Sequence, residues 1–581
     1  MGQKMQHANR QLQLRKKKIE NHNRSINKIM RKFLFLPLTF MLMIPAFSTA
    51  QMKNYKPAKN TPFVWEGANL YFLLTDRFYN GDKSNDINFN RDKPTGKLRG
   101  FEGGDIKGIT KKIDEGYFDK LGINAIWFTP IVEQIHDGVD EGTGMSYGFH
   151  GYWARDWTQL DPNFGTEKDL AELVKKAHKK GIRIVLDGVI NHTGPVTAVD
   201  TVWPEDWVRT GPQCDYKTFE GTTACTLVKN LPDVKTESNA NVEIPQFLAE
   251  KWKAEGRYEQ EMKELDDFFK RTGYPKAPKY YIIKWLSDYV NDFGIDGYRA
   301  DTVKHTDEDV WADFKTQCQY AFDNWKKNNP KKVLDDNKFY TIAEVYNYGI
   351  SGGQDFDFGN KKVNYFQNGF DNMINFEFKW DAKKDYEFLF SKYSGKLNNE
   401  LKGYSVLNYL SSHDDGGPFD GKREKSFESG IKLLLTPGIS QVYYGDESAR
   451  SLVIPGTEGD ATLRSFMNWD AIKSDAKTKE TLLHWQKLGQ FRRNHPSVGA
   501  GTHQKIADQP YVCGRFFSKG DFIDAVVIGL DWPSGKKEIS VGGIFEDGTK
   551  LKDFYSGKKV TVVAGKVTVD SEFSIVLLEK K

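Results

Sequence analysis

The sequence predicts an α/β architecture: a (β/α)8 barrel of the TIM type with a subdomain inserted after its third strand and a C-terminal antiparallel β-sandwich. Three observations carry that expectation. Eight short apolar runs alternate with helical patterns between residues 69 and 447, as repeated β-α units around a parallel sheet require. About a hundred residues separate the third run from the fourth, far more than one crossover helix needs, so an insertion is demanded there. Beyond about residue 498 the pattern changes to two-residue alternation broken by turn signals.

The barrel strands are expected at 69–75, 125–131, 181–189, 295–301, 339–345, 373–378, 405–411 and 439–444. Between the second and third, Thr166 can cap a helix whose Leu170, Leu173, Val174 and Ala177 share one face and which Gly181 ends. Ile282, Trp285, Leu286 and Tyr289 keep helical spacing ahead of Gly294 and read as core packing. In the terminal sandwich, strands at 523–530 and 566–569 accompany the turn pairs Ser534-Gly535, Ser556-Gly557 and Ala564-Gly565. The chain thus divides into a targeting segment at 1–50, a barrel at 51–192 and 237–497, an inserted subdomain at 193–236 and a sandwich at 498–581.

The formal charge of +4 is misleading, because residues 1–50 hold ten Lys/Arg and one acidic residue, a net of +9 that leaves −5 for the remainder. A mildly acidic protein has no electrostatic reason to seek nucleic acid. Arg31 and Lys32 precede an apolar stretch, 33–47, and then the small residues Ser48, Thr49 and Ala50, the pattern of an export signal cleaved after Ala50. The stretch is short and broken by Pro37 and Pro45, which disfavours a permanent membrane anchor. A periplasmic or secreted protein with no stable membrane span after signal removal is expected, as a monomer. An oxidising compartment permits a disulfide, and Cys214 with Cys225 could close a short loop; the alternative is four buried thiols, Cys318 and Cys513 included. Their spacing matches no zinc site.

Three acidic residues fall at predicted strand ends: Asp301 after strand four, Glu344 after strand five and Asp414 after strand seven. Polar groups there converge on the barrel mouth. One such carboxylate is more often a surface group, but three, with Arg299, His192 and His413 at equivalent positions, point to a site. Glycosidic cleavage needs this pairing: one carboxylate to attack the anomeric carbon and one protonated carboxyl for the departing oxygen. Arg299, two residues before Asp301, shares its side of the strand and would keep it ionised. Ala343 and Val345 offer Glu344 no compensating charge, so burial beside two carboxylates should raise its pKa.

The segments DGVINH (187–192), DGYRADTVKH (296–305), AEVYN (343–347) and SSHDD (411–415) resemble the conserved blocks of the α-amylase family, in family order and spacing. LPDV (231–234), GFHGYWARDW (148–157) and QVYYGDE (441–447) extend the likeness from residue 69 to the end, and 231–305 looks most like bacterial periplasmic members. The resemblance implies a secreted, retaining hydrolase (a glycosidase of carbohydrate metabolism) that cleaves α-1,4 glucosidic bonds in starch or maltodextrin. It assigns Asp301 as nucleophile, Glu344 as general acid/base and Asp414 as the carboxylate that binds and distorts the sugar. Arg299 would orient the nucleophile, His150, Tyr152, His192 and His413 would hold the same sugar, and Lys304 and His305 the sugar beyond the cleaved bond.

Two calcium sites are also implied. Asn191 and Asp233, with the His305 carbonyl, match ligands that tie barrel to insertion, and hard oxygen donors suit Ca2+. Asn80, Asp82, Asn85, Asp86, Gly103 and Asp105 resemble the extra site of cyclodextrin-forming relatives; on residues alone that run reads as an Asn-Gly turn with solvated carboxylates. The pattern departs from the family at Ser412, where Asn commonly precedes the His-Asp pair, and at Val234-Lys235.

Two rivals remain. A transglycosylase or cyclodextrin-acting enzyme shares the chemistry; the expectation of hydrolysis rests on the absence of further starch-binding modules after the sandwich. A glucan-binding protein without catalysis would usually lack a catalytic carboxylate, and all three are present.

Overall fold

The computed structural model describes residues 61–581; the expected targeting segment lies outside them. Eight parallel strands close a barrel: β1 (Asn69–Leu73), β2 (Ala125–Phe128), β3 (Arg183–Gly188), β4 (Gly297–Ala300), β5 (Tyr340–Ala343), β6 (Asn372–Asn375), β7 (Ser405–Tyr409) and β8 (Ile439–Tyr443), each paired with its neighbours in chain order and β8 with β1. Every residue in them is buried, as expected of a parallel sheet covered on both faces. The strands are shorter than the apolar runs that announced them. The difference falls mostly at the carboxyl ends, where the last residues of each run leave the ladder and enter the loops of the mouth.

Register decides what meets there. Arg299 pairs with Asp187 across β4 and β3, and Ala300 with Ala343 across β4 and β5. Asp301 and Glu344, each one residue further, therefore leave adjacent strands at one level. Their amides stay in the ladder, Asp301 N donating to Gly188 O and Glu344 N to Ala300 O.

The helix Glu167–Lys179 begins with a Thr166/Asp169 capping box and buries Leu170, Leu173, Val174 and Ala177. The helix Pro278–Phe293 starts on proline and stops at Gly294, whose φ of 73° suits a residue without Cβ. Between β3 and β4 the chain forms a short antiparallel pair, Val208–Arg209 with Asp233–Val234, and a Cys214–Cys225 disulfide. Cys318 and Cys513 are buried free thiols. Two further helices, Gln246–Ala254 and Tyr258–Thr272, precede the crossover helix; the sequence reading did not separate them from the barrel.

The C-terminal part forms an antiparallel sheet from β9 (Thr502–Ala507), β10 (Tyr511–Lys519), β11 (Phe522–Leu530), β13 (Lys550–Asp553), β14 (Lys559–Thr561) and β16 (Val576–Lys580), in the order 9-10-11-16-13-14. The antiparallel pair β12 (Gly535–Ser540) and β15 (Lys566–Ser571) forms a separate two-stranded sheet. Ala564 and Gly565 both have positive φ, the conformation a tight two-residue hairpin turn demands. Among the described residues no helix is long and apolar enough to cross a membrane.

His495, at the end of the last long barrel helix, holds the sheet: Nδ1 lies 2.8 Å from Asp524 Oδ1 and Nε2 2.9 Å from Glu579 Oε2. Burial opposes its charge, but the two carboxylates win and push its pKa up to about 9. A cation stabilised in this way contributes fully below its unfolded pKa of about 6.5 and is lost as pH rises through about 9. The melting-temperature gap between wild type and His495→Gln should therefore be widest near pH 6, corresponding to at most about 3 kcal/mol, and should close by about pH 10 in thermal scans.

Candidate active site

Five of the barrel's strands and the loops after them supply one cluster at the carboxyl end. Arg299, on β4 and 1% exposed, is its hub. Its Nη1 donates to Asp301 Oδ1 at 2.6 Å and to Asp187 Oδ1 at 2.9 Å, while Nη2 lies 3.0 Å from Glu344 Oε2. A planar fork with donors on two nitrogens suits this sharing; an ammonium would not span it. The Trp127 ring lies 5.2 Å from the guanidinium, and its Nε1 donates to Asp187 Oδ2.

Glu344 is buried beside Asp301 and Asp414, and burial followed by their charge raises its pKa well above the carboxylate range, against the pull of Arg299. The sequence reading expected the rise but no compensating cation; the structure supplies Arg299 from the neighbouring strand. Thr302 N also donates to Glu344 Oε2, at 2.8 Å, from a residue with φ of 49°. A left-handed β-branched residue is strained by about 1 to 3 kcal/mol, and here that strain turns an N–H toward the carboxyl. Arg299 and Thr302 both approach Oε2, which leaves Oε1 as the oxygen better suited to carry a proton.

Asp414 follows β7, and Ser412 Oγ donates to its Oδ1 at 3.1 Å, with His413 Nδ1 at 3.6 Å. Burial pushes its pKa up, but His413, Arg299, Arg464 and Ser412 outweigh that and hold it below the usual value. The Tyr152 ring stacks on His413 at 5.4 Å and on His150 at 5.8 Å, and its hydroxyl donates to Asp187 Oδ2 at 2.9 Å. Burial keeps all three neighbouring imidazoles neutral: His413 drops to about 4 and His150 falls well below its usual value, both helped by nearby arginines, and His192 is lowered by burial alone. His192 Nε2 donates to Tyr152 O and His150 Nδ1 accepts from Tyr152 N, which fixes their tautomers.

Lys304 and His305 sit on the turn after Asp301. Lys304 is half-buried, its Nζ between the rings of Tyr216 and Tyr346 at 5.9 and 5.4 Å, while His305 Nδ1 donates to Thr222 O in the insertion. The sequence reading assigned no role to Asp187, although an acidic residue inside a buried strand is itself a signal. It also passed over Arg464, which donates from Nε to His413 O at 2.9 Å; 51 residues separate them, and no local pattern links the two.

The implied cation sites differ in fit. Both Asp233 oxygens are buried without a hydrogen bond; Arg209 Nε lies 3.0 Å from Oδ2 but is not aligned to donate. Burial raises this carboxyl to about 9 despite Arg209, so a neighbouring cation would suit it. Asn191 lies beside it in the strand-like pairing of His192 with Asp233, and Val234 N donates to Asn191 O. In the second cluster, Asn80 and Asn85 carry buried, unpartnered Oδ1 atoms, Asn80 Nδ2 donates to Asp86 Oδ1, and a Cβ on Gly103 would crowd both Asn80 and Asp86. Asp82 turns away to Ser84 and Lys107, and Asp105 caps the helix Ile106–Asp114 while accepting from Gly81 N and Asp82 N. Among the described residues no group of three His, Cys, Asp or Glu is gathered for a metal, so a cation would rest largely on amide and carbonyl oxygens.

A buried carboxyl with a raised pKa, sharing one guanidinium with a second carboxylate at the mouth of a (β/α)8 barrel, is the equipment of a glycoside hydrolase. The family described as alpha amylase, catalytic domain, matches residues 72–489. The chain is 35% identical over 505 residues to a periplasmic alpha-amylase of Escherichia coli strain K12, covering 77% of this chain and 70% of that one. An alpha-amylase structure from Anoxybacillus shares the fold with a TM-score of 0.63 at 23% identity, over 90% of this chain and 99% of that one. A cyclomaltodextrin glucanotransferase described as having a three-domain ABC distribution shares it at 0.60 and 21%, over 88% and 99%. The chain belongs to the α-amylase family and is a glycoside hydrolase.

Arg299→Met would leave three buried carboxylates without their shared cation. A loss of about 3 to 5 kcal/mol at pH 7 is expected in denaturant unfolding, shrinking toward pH 4 as the carboxylates take up protons in both proteins.

Proposed function

We propose that this glycoside hydrolase is a retaining α-amylase cleaving α-1,4 bonds of starch and maltodextrins. The observation that carries the reading is the raised pKa of Glu344 while Asp301 accepts from Arg299. In the first step an Asp301 oxygen attacks the anomeric carbon as the proton on Glu344 Oε1 passes to the departing glycosidic oxygen. In the second, Glu344 takes a proton from water, which displaces Asp301 and regenerates both groups. Two carboxyls held by one guanidinium are close together, which supports double displacement, where they lie about 5 to 5.5 Å apart. Asp414, His413, His192, His150 and Tyr152 would grip the sugar being cleaved, and Lys304 and His305 the leaving portion.

Calcium, when bound at Asn191, Asp233 and the His305 carbonyl, would compensate the buried Asp233 charge; Asn80, Asn85, Asp86 and Gly103 form the second candidate. A periplasmic or secreted location is supported by the Cys214–Cys225 disulfide and by the likeness to a periplasmic alpha-amylase. The second reading, a cyclodextrin-forming or transfer activity, gains weight from the three-domain glucanotransferase, because a short domain set does not argue for hydrolysis. Maltoheptaose separates the two: linear shorter products support the hydrolase, and cyclic or elongated ones the transferase.

Glu344→Gln should lower turnover about a hundredfold to ten-thousandfold with maltooligosaccharide affinity retained, and wild-type product should appear first as the α anomer by NMR. Unchanged turnover, or initial β product, refutes the mechanism. Chelation with EDTA should lower the melting temperature, since an ion bound only by the folded chain stabilises it. A melting curve indifferent to chelator removes the calcium proposal.

A further inference from the structure

The residue after Asp414 is unlike it. Asp415 turns inward and is 7% exposed. Both of its oxygens bond Lys379 Nζ, while Tyr409 OH on β7 donates to Oδ2 at 2.5 Å and Gly417 N approaches Oδ1 at 3.4 Å. Lys379 is equally buried, on the one-turn helix Phe378–Asp381 that follows β6. Among the described residues Asp414 accepts a hydrogen bond from Ser412 and lies 3.6 Å from His413 Nδ1, in a loop that runs on through Gly416, Gly417 and Pro418.

We infer that the buried Lys379–Asp415 pair is a positioning device that clamps the loop after β7 to the helix after β6 and thereby fixes Asp414 in the cleft. Buried ion pairs are poor sources of stability, since desolvation offsets their attraction, yet they define geometry well because neither partner can be left alone. Without the clamp, Asp414 would ride on a loop with two adjacent glycines. Trp380, next to Lys379 and 53% exposed, has its ring edge 3.7 Å from where a Cβ on Gly417 would lie, so the helix and the loop also meet there.

The proposal rests on the reading of Asp414 as the third carboxylate of the site, and the test separates the two. Lys379→Met and Asp415→Asn are made singly and together, with Asp414→Asn as reference, and kcat and KM on maltoheptaose are measured beside melting temperature. Each single variant leaves one buried polar partner unmatched and should melt lower. The double variant should regain melting temperature because no buried charge remains, yet stay about tenfold to a hundredfold down in kcat with KM within about twofold, as a misplaced group does. Wild-type kcat in the double variant, or kcat that merely follows melting temperature across the set, overturns the positioning role. If Asp414→Asn also keeps wild-type kcat, the reading of Asp414 falls with it; if Asp414→Asn is inactive while the double variant is not, only the clamp falls.

Discussion

One guanidinium shared by three buried carboxylates is the constraint on which this site depends. Asp187, Asp301 and Glu344 lie within 3.0 Å of Arg299 at a place where water is excluded. A single positive charge cannot neutralise three negative ones in such surroundings, so burial raises Glu344 well above the carboxylate range and Asp187 to about 7. Glu344 also faces the charges of Asp301 and Asp414 and shares Arg299 with Asp187 and Asp301. The proposed division of labour between acid and nucleophile would rest on this charge balance around Arg299, to which Asp187 belongs.

The rest of the barrel mouth serves to hold this balance steady. Tyr152 is bound at three points, through its ring, its hydroxyl and its backbone, and so fixes His150, His192 and His413 as well as Asp187. Neutral imidazoles add hydrogen bonds without adding charge, which leaves the carboxylate balance intact. The insertion after β3 is coupled to the same region by the main-chain bridge of His192 with Asp233 and by the His305 side chain, which bonds Thr222 O. Loops of different origin are therefore locked to a rigid parallel barrel, the arrangement that lets side chains distant in sequence meet within hydrogen-bond distance.

Membership of the α-amylase family explains the barrel and the three carboxylates, but the family includes both hydrolases and transferases. Under the proposed double displacement the two would differ in whether water or a sugar hydroxyl resolves the glycosyl intermediate. On the proposed acceptor side Lys304 lies between the exposed rings of Tyr216 and Tyr346. Domain number is a poor guide to it.

Local patterns in the chain were enough to specify the barrel, the long connection after its third strand and the C-terminal antiparallel sheet, because hydrophobic periodicity and turn residues act over a few positions. The strand-end carboxylates were legible for the same reason: each closes an apolar run. The caps at Thr166 and Gly294 could be read directly from neighbouring residues. Register, by contrast, was decided only on folding, and with it the pairing of Arg299 with Asp187, the reach of Arg299 to Glu344, the backing of His413 by Arg464, and the burial of Lys379 against Asp415. These contacts join residues dozens to more than a hundred positions apart, and their energies depend on a shared low-dielectric setting that no single segment possesses. Neighbouring residues place these groups at the mouth, and folding, by burying and pairing them, sets their protonation.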